Sequence, residues 1–455
     1  MVTSKRTSIS DLGPEESRSS PVPVPSRLEL VNAFAQAFDI AEGRRLGHAA
    51  RVAYIALSLA QTNDLAEEEQ RVTFYAALLH DAGAAAISPD IRDLELVTEE
   101  ALFRAAPGKT PHQLAMDIAP AEATAAVELL HAHPERGTQI ARDLGFERAV
   151  QEAVMAHHER WDGSGYPAGL KGDATCIVGR IVAAADLIES LISDDLNSLI
   201  ARRNLLAMLV EHGGHALDPE IVRSAQQLSR SDGFWLGLYS QDLATELPDI
   251  YQAAFTEIER SPVDLHTFAS VFAKLADAKG EHTARHSERT AEIAVTIAEA
   301  LNFSPGRREM LHVAALLHDV GLLGVSSRVI SKPDILSLAE MEIVRTHPSY
   351  SQLILEAVPG LDAAARWAGA HHERPDGKGY AELLENDEIP LEARIISVAD
   401  TYVALTSTRP YREALSHEDA QQVLLGGAGT QLDAKLVRLF CSLPNDFTSS
   451  QTAPR

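Results

Sequence analysis

The sequence predicts an all-α protein that consists of two similar helical domains in tandem. Apolar residues recur at helical spacing, as at Ala49, Val52, Ala53 and Ala56, whereas the alternating pattern of half-buried strands is scarce. A set of histidines and aspartates also occurs twice, in the same order and with almost the same spacing. The two observations together predict two copies of one helical domain.

The repeated set contains five histidines and two aspartates in each copy. It consists of His48, His80, Asp81, His133, His157, His158 and Asp186 in the first copy, and of His286, His318, Asp319, His347, His371, His372 and Asp400 in the second. The first two positions recur after 238 residues and the last three after 214, because the first copy carries 24 extra residues between Asp81 and His133. Ten of the 18 histidines belong to this set, which random placement would not produce.

Composition and punctuation divide the chain into five segments. The predicted segments are a disordered tail over 1–27, a first domain over 28–230, a helical linker over 231–262, a second domain over 263–445 and a tail over 446–455. The extra residues of the first copy are placed near 90–125, where Pro107 and Gly108 indicate a loop. The copies are expected to form an intramolecular pseudo-dimer, to stay apart on the linker, or to pair in a homodimer.

Composition also excludes several classes of partner. The net charge of −25 over 455 residues disfavours DNA, which needs a basic surface. No apolar run approaches the roughly 18 residues of a membrane span, and the polar N-terminus does not resemble a signal peptide. Cys176 and Cys441 form no disulfide framework. We therefore expect a cytoplasmic protein with neither a DNA nor a membrane partner.

The residue types of the repeated set indicate metal binding. Imidazole and carboxylate ligands without thiolates suit Fe, Mn, Zn, Ni or Co. Seven ligands exceed one tetrahedral site but suit two ions that share a bridging carboxylate. An adjacent pair such as His157 and His158 at a helix end either feeds two ions or supplies one ligand and one supporting partner. Histidines outside the set, such as His131, are expected to be ordinary packed side chains.

The order of these residues resembles the HD-GYP subfamily of the HD-domain metal-dependent phosphohydrolases. The loop after the histidine pair carries much of the likeness. It reads HHERWDGSGYP from His157 to Pro167 and HHERPDGKGYA from His371 to Ala381. The resemblance covers both predicted domains. It implies two HD-GYP-type helical domains with two divalent metals in each, Fe or Mn first and Zn, Ni or Co as alternatives.

The resemblance implies a metal-dependent phosphodiesterase that hydrolyses a cyclic dinucleotide. Cyclic di-GMP, a bacterial second messenger, is the first expected substrate. Asp81 and Asp319, the aspartates of the two HD pairs, would be the catalytic residues: each would bridge two metals, and a bridging hydroxide would be the nucleophile.

Substrate contacts are expected from the same resemblance. They are Gly163, Gly165 and Tyr166 in the first copy, and Lys332, Gly377, Gly379, Tyr380, Arg409 and Arg412 in the second. At the offset of Arg412 from the last aspartate, where the family presents phosphate-binding arginine, the first copy has Ser198. The second copy is therefore the expected better substrate binder.

Departures from the family pattern keep other functions open. The lysine that usually ends the HDxGK motif is Ala84 in the first copy and Leu322 in the second, so each site loses an ammonium group. Some family members have a carboxylate ligand for a third ion four residues before the first histidine. Arg44 at this position argues against a third ion in the first copy, whereas His282 leaves one open in the second. The alternatives are a metal-bound but catalytically weak nucleotide-binding or regulatory module, a phosphohydrolase for another phosphoester, and an oxygen-dependent di-iron enzyme.

Overall fold

Helices are the regular elements of the part of the chain that the computed structural model describes, and this confirms the all-α prediction. The described residues are 25–42, 44–84, 113, 116–117, 123–192, 199–240, 242–255, 264–279, 285–332, 334–408 and 413–444. Most of the predicted insertion near 90–125, both tails beyond residues 25 and 444, and His282, Arg409 and Arg412 lie outside these residues. No helix within the described ranges is long and apolar enough to cross a membrane.

The first copy is built around three helices that carry or adjoin metal-ligand candidates. Its helices are α1 Arg27–Glu42, α2 His48–Thr62, α3 Glu67–Leu79, α4 Ala123–Asp143, α5 Arg148–Ala156, α6 Ile177–Ser190, α7 Leu199–His212 and α8 Pro219–Leu228. Helix α2 packs against both α3 and α6. Small buried residues on α2, such as Ala53 and Ala56, allow this close approach.

The second copy repeats the arrangement. Its helices are α11 Leu265–Asp277, α12 His286–Ala300, α13 Pro305–Leu317, α14 Ser327–Ile330, α15 Leu338–Val344, α16 His347–Glu356, α17 Asp362–Gly369, α18 Leu391–Leu405, α19 His417–Gly427 and α20 Ala434–Ser442. Helix α12 packs against α13 and α18, as α2 packs against α3 and α6. Short 3₁₀ turns lie at Gly172–Ala174, Val320–Gly324 and Asn386–Glu388.

The predicted tail over 1–27 overlaps the first helix, because α1 begins at Arg27. The Ser26 hydroxyl accepts a hydrogen bond from the Glu29 backbone N–H at 3.2 Å, and the Glu29 carboxylate accepts one from the Ser26 backbone at 2.7 Å. This reciprocal cap satisfies backbone groups that a helix start otherwise leaves unpaired.

The predicted linker over 231–262 is packed onto the first copy where the structure describes it. It contains two helices, α9 Asp232–Leu238 and α10 Leu243–Ala254. The Phe234 ring stacks on Tyr54 at 5.8 Å, and the Tyr251 ring lies 4.7 Å from Phe74. The described part of the linker segment therefore packs against the first copy, because burying these aromatic side chains is more favourable than exposing them. The predicted bounds of the domains stay predictions.

The first helix of each copy provides a contact between the copies. Phe34 on α1 stacks on Phe272 of α11 with 3.8 Å between ring centres, and Phe38 lies 5.5 Å from the same ring. Helix α1 also contacts the Val320–Gly324 turn and α16. Among the described residues, buried apolar side chains of both copies thus belong to one continuous core. A homodimer stays a prediction.

Candidate metal centre

The histidines and aspartates of the first copy converge from five helices. His48 is the first residue of α2, and His80 and Asp81 directly follow α3. His133 lies inside α4, His157 and His158 follow α5, and Asp186 lies inside α6. All seven residues are at most 8% exposed. Helix ends and helix faces therefore bring together residues that are up to 138 positions apart in the chain.

Asp81 lies between two groups of imidazoles and faces each group with a different oxygen. Its Oδ1 atom lies 3.3 Å from His133 Nε2 and 3.9 Å from His157 Nε2. Its Oδ2 atom lies 3.1 Å from His80 Nε2 and 3.5 Å from His48 Nε2. This is the geometry that a carboxylate needs in order to bridge two ions.

Asp319 has the same position in the second copy. Its Oδ1 atom lies 3.2 Å from His347 Nε2 and 3.6 Å from His371 Nε2. Its Oδ2 atom lies 3.4 Å from His318 Nε2 and 3.7 Å from His286 Nε2. The two copies thus place their HD aspartates in the same way.

The last aspartates complete one half of each centre. Asp186 Oδ1 lies 3.6 Å from His48 Nε2, and Asp400 Oδ1 lies 3.1 Å from His286 Nε2. Potential ligand atoms lie within 4.8 Å of one another in four groups: Asp81–His133–His157–His158, His48–His80–Asp81, Asp319–His347–His371–His372 and His286–His318–Asp400. Both members of each adjacent histidine pair therefore belong to the same half.

Half of these ten imidazoles are oriented by backbone carbonyl groups. In each case Nδ1 lies 2.5–2.8 Å from the carbonyl oxygen three residues earlier, as seen for His80, His157, His318, His347 and His371. When Nδ1–H donates to that carbonyl, the Nε2 lone pair faces the HD aspartate. This is the neutral tautomer that a metal ligand requires.

The donor set fits divalent metal ions. Several buried polar atoms in the centres lack a hydrogen-bond partner among the described residues: His48 Nε2, His80 Nε2, Asp81 Oδ2, His157 Nε2 and His318 Nε2. Buried polar atoms are rarely left in this state unless an ion or ligand satisfies them. Imidazole and carboxylate donors suit Fe, Mn, Zn, Ni or Co, so the residues of each copy fit two such ions.

The electrostatics of the centres favour an anionic HD aspartate in each copy and a neutral imidazole at His372. Burial by itself raises the pKa of Asp81, but the imidazoles of His80 and its neighbours outweigh burial and hold that pKa well below its usual range. The pKa of Asp319 is lowered in the same way, chiefly by His318. Burial and the neighbouring His347 lower the pKa of His372 to about 3. Both ionisation states are those that bind metal.

The helices that carry the last aspartates continue past them. Helix α6 runs to Ser190 and α18 to Leu405. Buried apolar residues continue the helix face beyond the aspartate in both copies. In the first copy the extra turn brings Glu189 to His48, with 2.5 Å between Oε2 and Nδ1. Sequence analysis missed Glu189, although its spacing of three from Asp186 is a signal for the same helix face.

The glycine-rich loops are pinned by the glutamate of the HHE sequence. In the first copy Glu159 accepts backbone hydrogen bonds from Ala168 at 2.7 Å and Leu170 at 2.8 Å. A Cβ atom on Gly165 would lie 2.3 Å from the Arg160 backbone nitrogen. Gly165 therefore has a packing function in addition to the substrate contact predicted for it, and Glu159 is a residue whose function sequence analysis missed.

The second copy uses the same construction. Glu373 accepts backbone hydrogen bonds from Glu382 at 2.6 Å, Leu383 at 3.0 Å and Leu384 at 3.1 Å. A Cβ atom on Gly379 would lie 2.6 Å from the Arg374 backbone nitrogen. Gly163 and Gly377 of the two loops have backbone φ angles of 84° and 69°, which residues other than glycine rarely adopt.

The loop tyrosines lie against the second histidine of each pair. Tyr166 stacks on His158 at 4.7 Å, and the Tyr380 ring lies 4.9 Å from that of His372. A further group lies over each tyrosine. In the first copy it is His131, 5.7 Å from the Tyr166 ring.

The group over Tyr380 in the second copy is the Arg345 guanidinium, 5.5 Å from the ring centre. His131 and Arg345 are related by the same offset of 214 residues as the third histidines. Sequence analysis gave neither residue a function at the site. The comparison of the two copies at this offset is the signal that could have found them.

The predicted substrate contact Lys332 is paired with a carboxylate, and the two positions of the missing HD lysine carry no cation. Lys332 Nζ lies 2.8 Å and 2.7 Å from the two Glu340 carboxylate oxygens, so its charge is already compensated. Ala84 is 4% exposed, and Leu322 is partly buried in the Val320–Gly324 turn, so neither position supplies a cation.

Comparisons with known proteins agree with the site. A profile of the HD domain family matches residues 100–221 and 270–436. The chain is 31% identical over 452 residues to the 3′3′-cGAMP-specific phosphodiesterase 3 of Vibrio cholerae serotype O1, which covers 92% of this chain and 96% of that protein. It is 30% identical over 233 residues to a cyclic di-GMP phosphodiesterase of that organism, 47% of each chain. A crystal structure of a cyclic GMP-AMP-specific phosphodiesterase of V. cholerae aligns with a TM-score of 0.64 and 29% identity, over 92% of this chain and 99% of that one.

Proposed function

The chain belongs to the HD-domain family of metal-dependent phosphohydrolases, and we propose that it hydrolyses a phosphodiester bond of a cyclic dinucleotide. The observation that carries this proposal is the position of Asp81 and Asp319 between two groups of imidazoles. A carboxylate in this position would be shared by two divalent ions, which together would supply the chemistry that phosphodiester hydrolysis requires.

Bound divalent ions would supply Lewis-acid stabilisation of the phosphodiester and a means to activate water. The chain's own residues do the rest. Asp81 and Asp319 hold the two halves of each centre together, and the carbonyl-anchored histidines keep their Nε2 lone pairs aimed inward. The buried site keeps bulk water away from these groups, which strengthens every charge interaction inside it.

The substrate that we propose first is 3′3′-cGAMP. The relative that aligns with 92% of this chain carries that specificity in its name, and the aligned crystal structure is named as cyclic GMP-AMP-specific. The cyclic di-GMP phosphodiesterase aligns with about half of the chain. Cyclic di-GMP, the first expectation from the sequence, is therefore the second candidate.

We assign the stronger substrate binding to the second copy. Arg345 places a guanidinium beside Tyr380, whereas His131 occupies the corresponding position of the first copy. A guanidinium is always charged and forms strong hydrogen bonds to phosphate oxygens. Arg409 and Arg412 are the further cations that the sequence predicts for this copy.

A metal-bound but catalytically weak module is the second candidate function. It is favoured by Ala84 and Leu322, which replace the usual lysine, and by the pairing of Lys332 with Glu340. In this case the chain would bind a cyclic dinucleotide tightly and release little product.

The test combines metal analysis with turnover on one anaerobic preparation loaded with Mn²⁺ or Fe²⁺. We expect about four ions per chain and a linear dinucleotide or mononucleotides from 3′3′-cGAMP, at a higher kcat/KM than from cyclic di-GMP. Full metal loading with tight nucleotide binding and no product would favour the weak module instead. Turnover of simple phosphoesters alone, or oxygen consumption, would overturn the proposal.

A further inference from the structure

His48 has a carboxylate partner on its outer nitrogen. Glu189 Oε2 lies 2.5 Å from His48 Nδ1, and Glu189 Oε1 lies 2.6 Å from Arg51 Nε. The Arg51 guanidinium also donates to the Leu46 carbonyl at 3.1 Å. Because Glu189 is only 9% exposed, its carboxylate is held between the arginine and the imidazole rather than solvated.

The second copy lacks this carboxylate. Val403 occupies the position that corresponds to Glu189, at the offset of 214 residues that also relates Asp186 to Asp400. Arg289, which corresponds to Arg51, instead donates to the hydroxyl groups of Thr406 and Ser407. The two first histidines therefore have different surroundings.

No other acidic group replaces Glu189 in the described part of the second copy. His286 is 5% exposed, and its Nδ1 atom has no hydrogen-bond partner among the described residues. Asp277 is nearby but accepts hydrogen bonds from the Ser287 backbone and hydroxyl groups. Asp319 and Asp400 face His286 Nε2 on the other side of the ring.

We propose that Glu189 is a positioning residue that tightens metal binding in the His48 half of the first copy. Val403 leaves the corresponding His286 half of the second copy as the weaker and more readily exchanged metal site. The inference rests on the metal binding included in the proposed function, but it does not depend on which substrate is hydrolysed.

The physical reason is the effect of an acceptor on Nδ1–H. A carboxylate at that position fixes the tautomer and the ring orientation, and it makes Nε2 a stronger electron donor to a cation. Loss of such a partner typically weakens metal affinity by about 10- to 100-fold. The Arg51 contact holds the Glu189 carboxylate beside His48.

The experiment measures Mn²⁺ affinity in the full-length chain by chelator competition and by the electron paramagnetic resonance signal of free Mn²⁺. One copy is disabled at a time, so that the other can be measured alone. In the chain with His318→Ala and Asp319→Ala, Glu189→Gln is compared with its parent. In the chain with His80→Ala and Asp81→Ala, Val403→Glu is compared with Val403→Gln.

We expect Glu189→Gln to lower the affinity for one of the two Mn²⁺ ions of the first copy by about 10- to 100-fold. The affinity for the other ion should not change. Val403→Glu should raise the affinity for one Mn²⁺ ion of the second copy. Val403→Gln, which introduces a side chain of equal size without the charge, should raise it much less. Glu152→Gln on α5 removes a charge paired with Arg148 at the surface and is the matched control for the first copy.

Several results would overturn the proposal. One is a Mn²⁺ affinity of Glu189→Gln that lies within two-fold of that of the parent. Another is an equal loss of affinity for both ions together with a lower melting temperature, which would indicate general destabilisation. The result for the first copy stands even when Val403→Glu fails to fold. If the parent binds Mn²⁺ but does not hydrolyse a cyclic dinucleotide, the proposed function is wrong and this inference still holds.

Discussion

Asp319 Oδ1 lies 3.2 Å from His347 Nε2 in the second copy, and the corresponding atoms of Asp81 and His133 lie 3.3 Å apart in the first. The agreement is close although the two pairs are separated by different lengths of chain, since the first copy carries the extra residues between its aspartate and histidine. The geometry of the candidate metal centres is therefore the same in the two copies, and the differences lie in the groups around them.

Asp319→Ala should remove the metal ions of the second copy and abolish its hydrolysis. Without the shared carboxylate neither half keeps enough anionic ligands, while the surrounding helices lose little packing because the side chain is small. Metal analysis should fall from about four ions to about two, with the helical circular dichroism unchanged. Asp81→Ala is the matched variant of the first copy. Full activity in Asp319→Ala would locate catalysis in the first copy.

Arg345→Ala should raise the KM for a cyclic dinucleotide by about 10- to 100-fold, the value of one lost hydrogen bond to a charged group. The metal content should not change, because the guanidinium lies over Tyr380 and is not among the ligand groups. Steady-state kinetics on 3′3′-cGAMP check this, with Arg345→Lys as a variant that keeps the charge. A KM equal to that of the parent would refute a phosphate contact at this position.

Arg412→Ala should weaken substrate binding by more than the loss of an ordinary surface charge. Removal of a surface charge changes a free energy by about 0.5 kcal/mol or less, whereas loss of a phosphate contact costs about 1.5–3 kcal/mol. Binding is measured by isothermal titration with a slowly hydrolysed analogue. The exposed Arg366 provides the comparison variant Arg366→Ala. Equal affinities for the two variants would exclude Arg412 from the site.

Gly321→Ala should destabilise the second copy and its metal site together. A Cβ atom there would lie 2.1 Å from the His347 carbonyl oxygen, so the HD turn and the helix that begins with the third histidine would have to separate. Overpacking of this kind costs about 1–3 kcal/mol. Thermal unfolding and metal content are the measurements. Gly306→Ala in the same copy meets no atom within 4 Å and should leave both unchanged.

The metal-free protein should lose stability as the pH rises from neutral to about 10. Burial alone would lower the pKa of His48, but Glu189 and Asp81 outweigh burial and raise it to about 10. The ordinary value is 6.5, so the stabilisation is complete below about pH 6.5 and is lost as the pH rises through the folded value.

Melting temperatures of the metal-free protein across this pH range check the effect. Glu189→Gln removes the main partner of the His48 proton and should flatten the dependence. Bound metal should flatten it too, because an ion and a proton compete for the same imidazole. An equal slope in the parent and in Glu189→Gln would contradict the assignment of the proton to this pair.

Much of the candidate site could be predicted from the sequence because its signals are local or repeated. Helical periodicity predicts α2 and α12, since one helix face has to be buried in each copy. His80–Asp81 and His318–Asp319 are recognisable because metal binding requires particular residue types and the same types recur in the same order in both copies. The contact of Glu189 with His48 joins positions 141 residues apart and depends on one extra helical turn, so no local pattern revealed it.

The sequence by itself determined the helical class, the tandem repeat and the metal-ligand candidates, because these depend on residue type and spacing along the chain. Only the tertiary structure decided which carboxylate faces which imidazole, that α9 and α10 pack onto the first copy, and that Phe34 stacks on Phe272. Those contacts join distant segments. They depend on how buried surfaces fit together in three dimensions, which periodicity along one segment does not specify.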